Sequence, residues 1–158
     1  MIVKDLGVVE YEPTCEAMRQ FTAERGQNTE DELWLLEHPQ VFTLGLNGKD
    51  EHVLNTHDIP LVNTDRGGQV TFHGPGQLIV YTLIDLKRAK IGVREMISGL
   101  ENSVVSMLKQ LDIEAKSRSD APGVYVEGRK IASLGLRVKR GACYHGLSLN
   151  VAMDLTPF

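Results

Sequence analysis

Apolar positions recur along this chain in two rhythms. Residues 93–111 carry Val93, Met96, Ile97, Leu100, Val104, Leu108 and Leu111 at three- and four-residue steps, the stripe of a helix with one buried face. A second helix is predicted over residues 13–24. Pro13 lies near its first turn, where the missing N–H costs least, and Ala17, Met18 and Phe21 share its buried side. Residues 77–86 (QLIVYTLIDL) are almost continuously apolar, which predicts a core strand covered on both faces. Glu32–Glu37 (ELWLLE) reads as another buried strand, stopped by His38-Pro39. Residues 3–10, 41–45 and 59–63 are further strand candidates. Near the C-terminus, residues 123–126 and 130–138 flank Glu127-Gly128-Arg129, a hairpin turn with Gly at the position that requires φ > 0. Residues 143–151 form the last predicted strand. Strands outnumber long helices, and the hairpin spacing predicts an α+β fold: a mixed, largely antiparallel sheet with helices on one side.

Length and composition narrow the class. At 158 residues the chain makes one domain, large enough to bury a core without disulfide or metal staples. Hydrophobic residues are 42% and charged residues 24%, an ordinary globular balance. The net charge of −4, from 17 Lys plus Arg against 21 Asp plus Glu, argues against general nucleic-acid binding. No apolar run approaches a membrane span. Lys4, Asp5 and Glu10 interrupt the region where a signal peptide needs an apolar core, so a cytoplasmic location is expected. Cys15 and Cys143 cannot make a disulfide framework or a Cys-rich zinc site.

Three segments carry candidate chemistry. In residues 65–77 (DRGGQVTFHGPGQ), five of thirteen positions are Gly or Pro. Pro75-Gly76 suits the centre of a type II turn, and Gly67-Gly68 permits a close backbone approach. Gln69, Thr71 and His73 alternate onto one face of a short strand. Arg66 supplies a cation, so the segment reads as a ligand loop. In the second segment (DAPGVYVEGRKIASLGLR, residues 120–137), Lys130 opens an apolar strand. A lysine there is either a solvated edge residue or one turned into a cleft, where its charge assists a thiol or an acyl oxygen. In the third segment, His145 and Gly146 stand inside a strand, and Gly146 marks a bulge or a close backbone contact. His38, His52 and His57 lack metal-ligand spacing. There is no P-loop and no G-x-G-x-x-G. The clusters Lys87-Arg88-Lys90 and Arg137-Lys139-Arg140 read as solvated faces, or as surfaces that steer an acidic partner.

Together and in this order, DRGGQVTFHGPGQ, DAPGVYVEGRKIASLGLRV and YHGLSLNVAMDLTPF resemble the octanoyltransferases of lipoate biosynthesis, the lipoate–protein ligase B family. EHPQVFTLG and the residue 93–111 helix fit the same family, so the resemblance spans essentially the whole chain. It implies the biotin/lipoate protein ligase-like fold, with the mixed sheet forming an acyl-binding cleft and helices flanking it. It implies transfer of an octanoyl group from octanoyl-acyl carrier protein to a lysine of lipoyl domains, those of 2-oxoacid dehydrogenases and the glycine cleavage H protein. No cofactor, metal, nucleic acid or membrane is expected. The family's R-G-G-x-x-T-[FY]-H segment corresponds to Arg66, Gly67, Gly68, Gln69, Val70, Thr71, Phe72 and His73. The S-L-G segment corresponds to Ser133, Leu134 and Gly135. The G-L-[AS] segment with its preceding histidine corresponds to His145, Gly146, Leu147 and Ser148. The catalytic lysine corresponds to Lys130.

The family's nucleophile is a cysteine in an N-P-C-G motif a few residues beyond M-D-L-[ST]-P-F. The sequence reaches Phe158 on the approach to that motif, and neither Cys15 nor Cys143 matches the position. The expectation is a single octanoyltransferase catalytic domain over residues 1–158 with its C-terminal part missing. Two other readings compete: an ATP-dependent lipoate or biotin ligase of the same fold, and a non-catalytic docking module for acyl carrier protein or lipoyl domains.

Overall fold

The computed structural model describes residues 1–53 and 55–158. Among the described residues, ten strands form two sheets. The larger has the order β1-β2-β6-β10-β9-β8-β7, built from β1 (Ile2–Val8), β2 (Glu32–Glu37), β6 (Gln77–Asp85), β7 (Lys116–Ser117), β8 (Val124–Val126), β9 (Arg129–Lys139) and β10 (Ala142–Asn150). Among the described residues of this sheet, only the β1–β2 pair is parallel. The smaller sheet, β4-β3-β5, joins β3 (Val41–Leu44) to β4 (Leu61–Asn63) in parallel and to β5 (Val70–His73) antiparallel. Among the described residues no helix is long and apolar enough to cross a membrane.

The two-sided apolar character of β6 decides the layering. Ile79, Tyr81 and Leu83 pack with Tyr11, Cys15 and Met18 of α1 (Tyr11–Glu24). Leu78 and Val80, one residue out of phase, pack with Leu100, Val104 and Leu108 of α3 (Val93–Lys109). The helices therefore cover opposite faces of the large sheet, not one side as the hairpin spacing suggested. A strand with apolar residues at both parities needs a layer on each face.

Local chemistry moved some boundaries. The β8–β9 hairpin turns through Glu127 and Gly128 alone, both at positive φ (51° and 79°). That is the primed two-residue geometry whose twist matches the strands, so Arg129 joins the ladder opposite Val126. A four-residue helix, α2 (Leu86–Ala89), follows β6 where only a basic cluster was evident in sequence. The Asp85 carboxylate caps it by accepting from Arg88 N–H, and Lys90 ends it in the left-handed region at φ 56°.

Gly146 stands between Tyr81 of β6 and Gly135 of β9. A Cβ there would lie 2.0 Å from the Val80 carbonyl oxygen, so the strands can approach only without a side chain. Gly99, on α3, has nothing within 4 Å of its would-be Cβ. Chemical denaturation should therefore separate the two alanine variants. Gly146→Ala is expected to lose about 3 kcal/mol or more, and Gly99→Ala to gain up to about 1 kcal/mol.

Candidate active site

The site begins where β8 stops. β8 pairs with β9 only as far as Ala132, so β9 runs on from Ser133 with a free edge. The loop after β4 leans over that edge: Gly67 N–H donates to the Leu136 carbonyl at 3.1 Å. A Cβ on Gly135 would come within 2.9 Å of the Gly67 oxygen, so glycine permits this crossing. The result is a cleft of about 640 Å³. Leu134, Leu136 and Leu147, with Val93 and Ile97 of α3, give it an apolar wall. Ser133 and Ser148, directly opposite across β9 and β10, add hydroxyls.

Lys130 also lines the cleft. Its Nζ donates to the Pro122 carbonyl at 3.1 Å and lies 5.4 Å from the Tyr125 ring centroid. Gly123 makes room: a Cβ there would stand 2.9 Å from Lys130 Cε and 2.9 Å from the Ala132 oxygen. The Gly123 N–H donates at 2.9 Å to Glu101, a buried carboxylate of α3. The long helix thus fixes the loop on which the lysine rests, and the ammonium remains exposed to solvent at the cleft.

Behind the cleft, Asp65 gathers three donors. Tyr144 OH donates to one carboxylate oxygen, while His145 Nε2 (3.0 Å) and Arg19 (3.3 Å) donate to the other. Consecutive strand residues ordinarily point to opposite faces. His145 escapes this by adopting φ 62°, which brings its ring alongside that of Tyr144, with centroids 5.0 Å apart. Burial alone would raise the Asp65 pKa; the bonds from His145, Tyr144 and Arg19 outweigh it and hold the carboxyl far below the usual range. Burial dominates at His145 and lowers its pKa despite the carboxylate. The pair is therefore a neutral imidazole donating to a carboxylate, which leaves Nδ1 as the acceptor. Burial, then Asp65, pushes the Tyr144 phenol up to about 12.

A second polar chain ties the two sheets together. Arg66 donates to the Thr43 carbonyl and hydroxyl (both 2.8 Å), to the Gln69 carbonyl (2.9 Å) and to the Gly67 carbonyl (3.0 Å). The guanidinium lines the cleft, and its bonds to these carbonyls also shape the loop. The Thr43 hydroxyl, already accepting from Arg66, donates to His73 Nε2 at 3.4 Å. His73 Nδ1–H donates to Gln77 Oε1 at 2.7 Å, and Gln77 Nε2 donates to Asn150 at 2.8 Å. Burial, chiefly, lowers the His73 pKa to about 3. His38, also lowered by burial, donates to the Val9 carbonyl (2.6 Å) and accepts from Tyr81 OH (2.8 Å).

Neither cysteine offers a reactive thiol. Cys15 and Cys143 are buried, and burial is the largest influence raising each thiol's pKa. Cys15, Asp65 and His145 do place potential metal-ligating atoms within 4.8 Å of one another. Yet the carboxylate is already neutralised by Arg19, and its neighbouring thiol is protonated, so a cation would have to displace existing partners.

The three sequence segments converge here. Arg66, Gly67, Gly68, Gln69, Val70, Thr71, His73, Lys130, Ser133, Leu134, Gly135, His145, Gly146, Leu147 and Ser148 all line the cleft. Phe72 does not: at 2% exposure it packs between Phe42 and Phe158. Sequence reasoning missed Tyr11, Tyr81, Val93, Ile97 and Leu136 as lining residues, and missed Asp65 as the organiser behind them. Val93 and Ile97 read as helix stripe, Tyr81 and Leu136 as strand positions, and Tyr11 lies before the predicted helix. Only the fold places Asp65 beside residues 144 and 145.

The buried neutral histidines set a pH dependence. The unfolded chain binds a proton at each as pH falls below about 6.5, whereas folded His73 resists until about pH 3. Stability is thus fully present above the unfolded value and falls through this window by about 1.4 kcal/mol per pH unit for His73 alone. His38 and His145 act in the same direction. Melting temperatures measured from pH 7.5 down to 5.0 are expected to drop steadily. A flat profile would mean that these rings take up protons in the folded protein as they do in the unfolded chain.

Residues 10–158 match the family described as lipoyl protein ligase A/B catalytic domain. A protein named octanoyltransferase from Chromobacterium violaceum is 62% identical over 99% of this chain and 76% of its own length. One of the same name from Methylococcus capsulatus is 59% identical over the same shares. A putative lipoate protein ligase from T. acidophilum superposes with a TM-score of 0.76 at 16% identity, covering 98% of this chain and 70% of that one. The fold is that of the lipoate protein ligases, and this chain belongs to the lipoyl protein ligase A/B catalytic-domain family.

Proposed function

We propose that this protein is an octanoyltransferase of lipoate biosynthesis, taking an octanoyl group from octanoyl-acyl carrier protein and delivering it to a lysine of a lipoyl domain. The reading rests on a cleft whose leucine-rich wall suits an alkyl chain and which also holds the Lys130 ammonium. The names of relatives at about 60% identity support it. Residues 1–158 are read as part of one catalytic domain. Its acceptors are the lipoyl domains of 2-oxoacid dehydrogenases and the glycine cleavage H protein, and its place of work is the cytoplasm.

The chemistry needs no ATP, because a thioester arrives activated. An enzyme thiolate attacks the acyl carbon, the bond to the carrier sulfur breaks, and the carrier leaves as its thiol. The acceptor amine then attacks the enzyme thioester. An amide forms, the amine gives up a proton, and the enzyme thiol is released. A free thiol near pKa 8.5 is only a few per cent ionised at neutral pH, and an adjacent ammonium raises that fraction. Lys130 fills this role, lends positive charge to the developing oxyanion and exchanges a proton with the incoming amine. The burial of Cys15 and Cys143 supports assigning the nucleophile to the N-P-C-G motif that family resemblance puts after Phe158. The cleft residues carried over from the family hold the acyl chain.

Intact-mass analysis after incubation with octanoyl-acyl carrier protein tests the assignment. The 158-residue chain is expected to gain no octanoyl adduct, and a chain extended through an N-P-C-G segment to gain one. A thioester on Cys15 or Cys143 would overturn the assignment. Retained adenylate after mixing with ATP and octanoate would favour a ligase instead. In the extended chain, Lys130→Ala is expected to slow octanoyl transfer by about 10²-fold or more while leaving binding of octanoyl-pantetheine to the cleft within a few-fold. Transfer at an undiminished rate would remove Lys130 from the chemistry.

A further inference from the structure

Two basic clusters, separated by about fifty residues in the chain, meet at one corner of the fold. β10 pairs at Ala142 with Lys139 on one side and with Asp85 on the other. Lys87 follows two residues later, and its N–H donates to the Gly141 carbonyl at 3.3 Å. Its side-chain stem lies against Gly141, where a Cβ would stand 2.5 Å from the Lys87 carbons. Arg140 occupies the same turn at φ 55°, and Lys90 closes α2 one turn beyond Lys87. Arg137 shares the face of Lys139 two residues back along β9. The side chains of Lys87, Lys90, Arg137, Lys139 and Arg140 are all exposed.

The neighbouring acids are already engaged. Asp31 is held by Arg25 and Arg88, each at 2.7 Å. Asp85 accepts from Arg88 N–H, and Glu95 accepts from Gly92 N–H. Arg88 is turned toward Asp31 and the carbonyls of Gln27 and Thr29. A protein of net charge −4 thus concentrates cations at one corner. That corner adjoins the cleft, for Arg137 directly follows Leu136, which lines the cleft.

We propose that this corner is the docking surface for the acidic face of the acyl-carrier donor. The proposal rests on the octanoyltransferase reading above. Distance favours the donor over the acceptor. From Lys130 to Arg137 is seven residues along one extended strand, roughly 23 Å. A partner seated at the corner reaches Lys130 only if its reactive group rides on a long arm. A carrier's thioester does; the four-carbon side chain of an acceptor lysine does not. Concentrated charge of one sign also speeds encounter and orients the partner, with an effect that salt weakens.

Isothermal titration of this chain with octanoyl-acyl carrier protein tests the surface, with octanoyl-pantetheine as a ligand that bypasses docking. Carrier affinity is expected to fall at least tenfold in Lys87→Glu/Lys139→Glu/Arg140→Asp and to weaken steeply between 50 and 500 mM salt. Asp at position 140 tolerates the positive φ. Octanoyl-pantetheine binding is expected to stay unchanged in that variant, which also reports that it is folded. Lys109→Glu/Lys116→Glu, reversing charge at the far end of α3, should leave carrier affinity within twofold. Equal carrier affinity in both variants would overturn the docking surface and leave the enzymatic reading intact. Loss of lipoyl-domain binding with carrier binding preserved would overturn it in favour of the acceptor. Failure of the unmodified chain to bind either octanoyl ligand would instead remove the octanoyltransferase reading, and the docking proposal with it.

Discussion

The Asp65 carboxylate is the point on which the two sheets and α1 converge. It closes β4's outgoing loop onto β10 through Tyr144 and His145, and onto α1 through Arg19. Bonds to an ionised acceptor are roughly twice as strong as neutral ones. That strength offsets a left-handed His145 backbone, a conformation costing about 1–3 kcal/mol in a non-glycine residue. Without the twist, His145 would share the face of Leu147 and Leu149 against α3. With it, the ring joins Tyr81 and Tyr144. The neighbouring position must then be glycine, because the Val80 carbonyl fills the space that a side chain would need.

The chain from Arg66 through Thr43, His73 and Gln77 to Asn150 does a different job. Every proton in it has one consistent direction, so the tautomer of His73 is fixed by its neighbours. A fully satisfied buried network favours one arrangement of the small sheet over the large one, since any shift leaves a donor or acceptor unpaired in a low-dielectric interior. The same rigidity explains why the cleft wall at residues 66–69 is built from backbone held by an arginine. A loop so rich in glycine would otherwise lose much conformational entropy on ordering.

What the sequence disclosed follows from what local pattern encodes. The buried strand ELWLLE, stopped by His38-Pro39, has the bounds of β2, and α3 begins where its stripe begins. The three glycine-punctuated segments were legible as a site because each breaks its own periodicity with residues of special backbone freedom. The separation into two sheets was not legible, since β3, β4 and β5 are only three or four residues long and their pairing is non-local. The commitment of Arg66 to carbonyls was also hidden, because a backbone acceptor leaves no mark in the sequence. Phe72 illustrates the converse error: a residue inside a ligand segment alternates away from the ligand and becomes core.

The position of β10 has a consequence for how the chain is made. It lies between β6 and β9, yet it is synthesised after every other described strand. Until residues 142–150 leave the ribosome, the edge of β6 that β10 will pair lacks its hydrogen-bonding partner. Contacts across some sixty residues cannot nucleate early, so closure of the sheet is a late, slow event for a chain of this topology. During that interval the nascent protein presents the kind of unpaired, hydrophobic edge that recruits chaperones or aggregates with its neighbours. Delayed pairing of β6 and β9 by β10 thus exposes the nascent chain to association before the sheet closes.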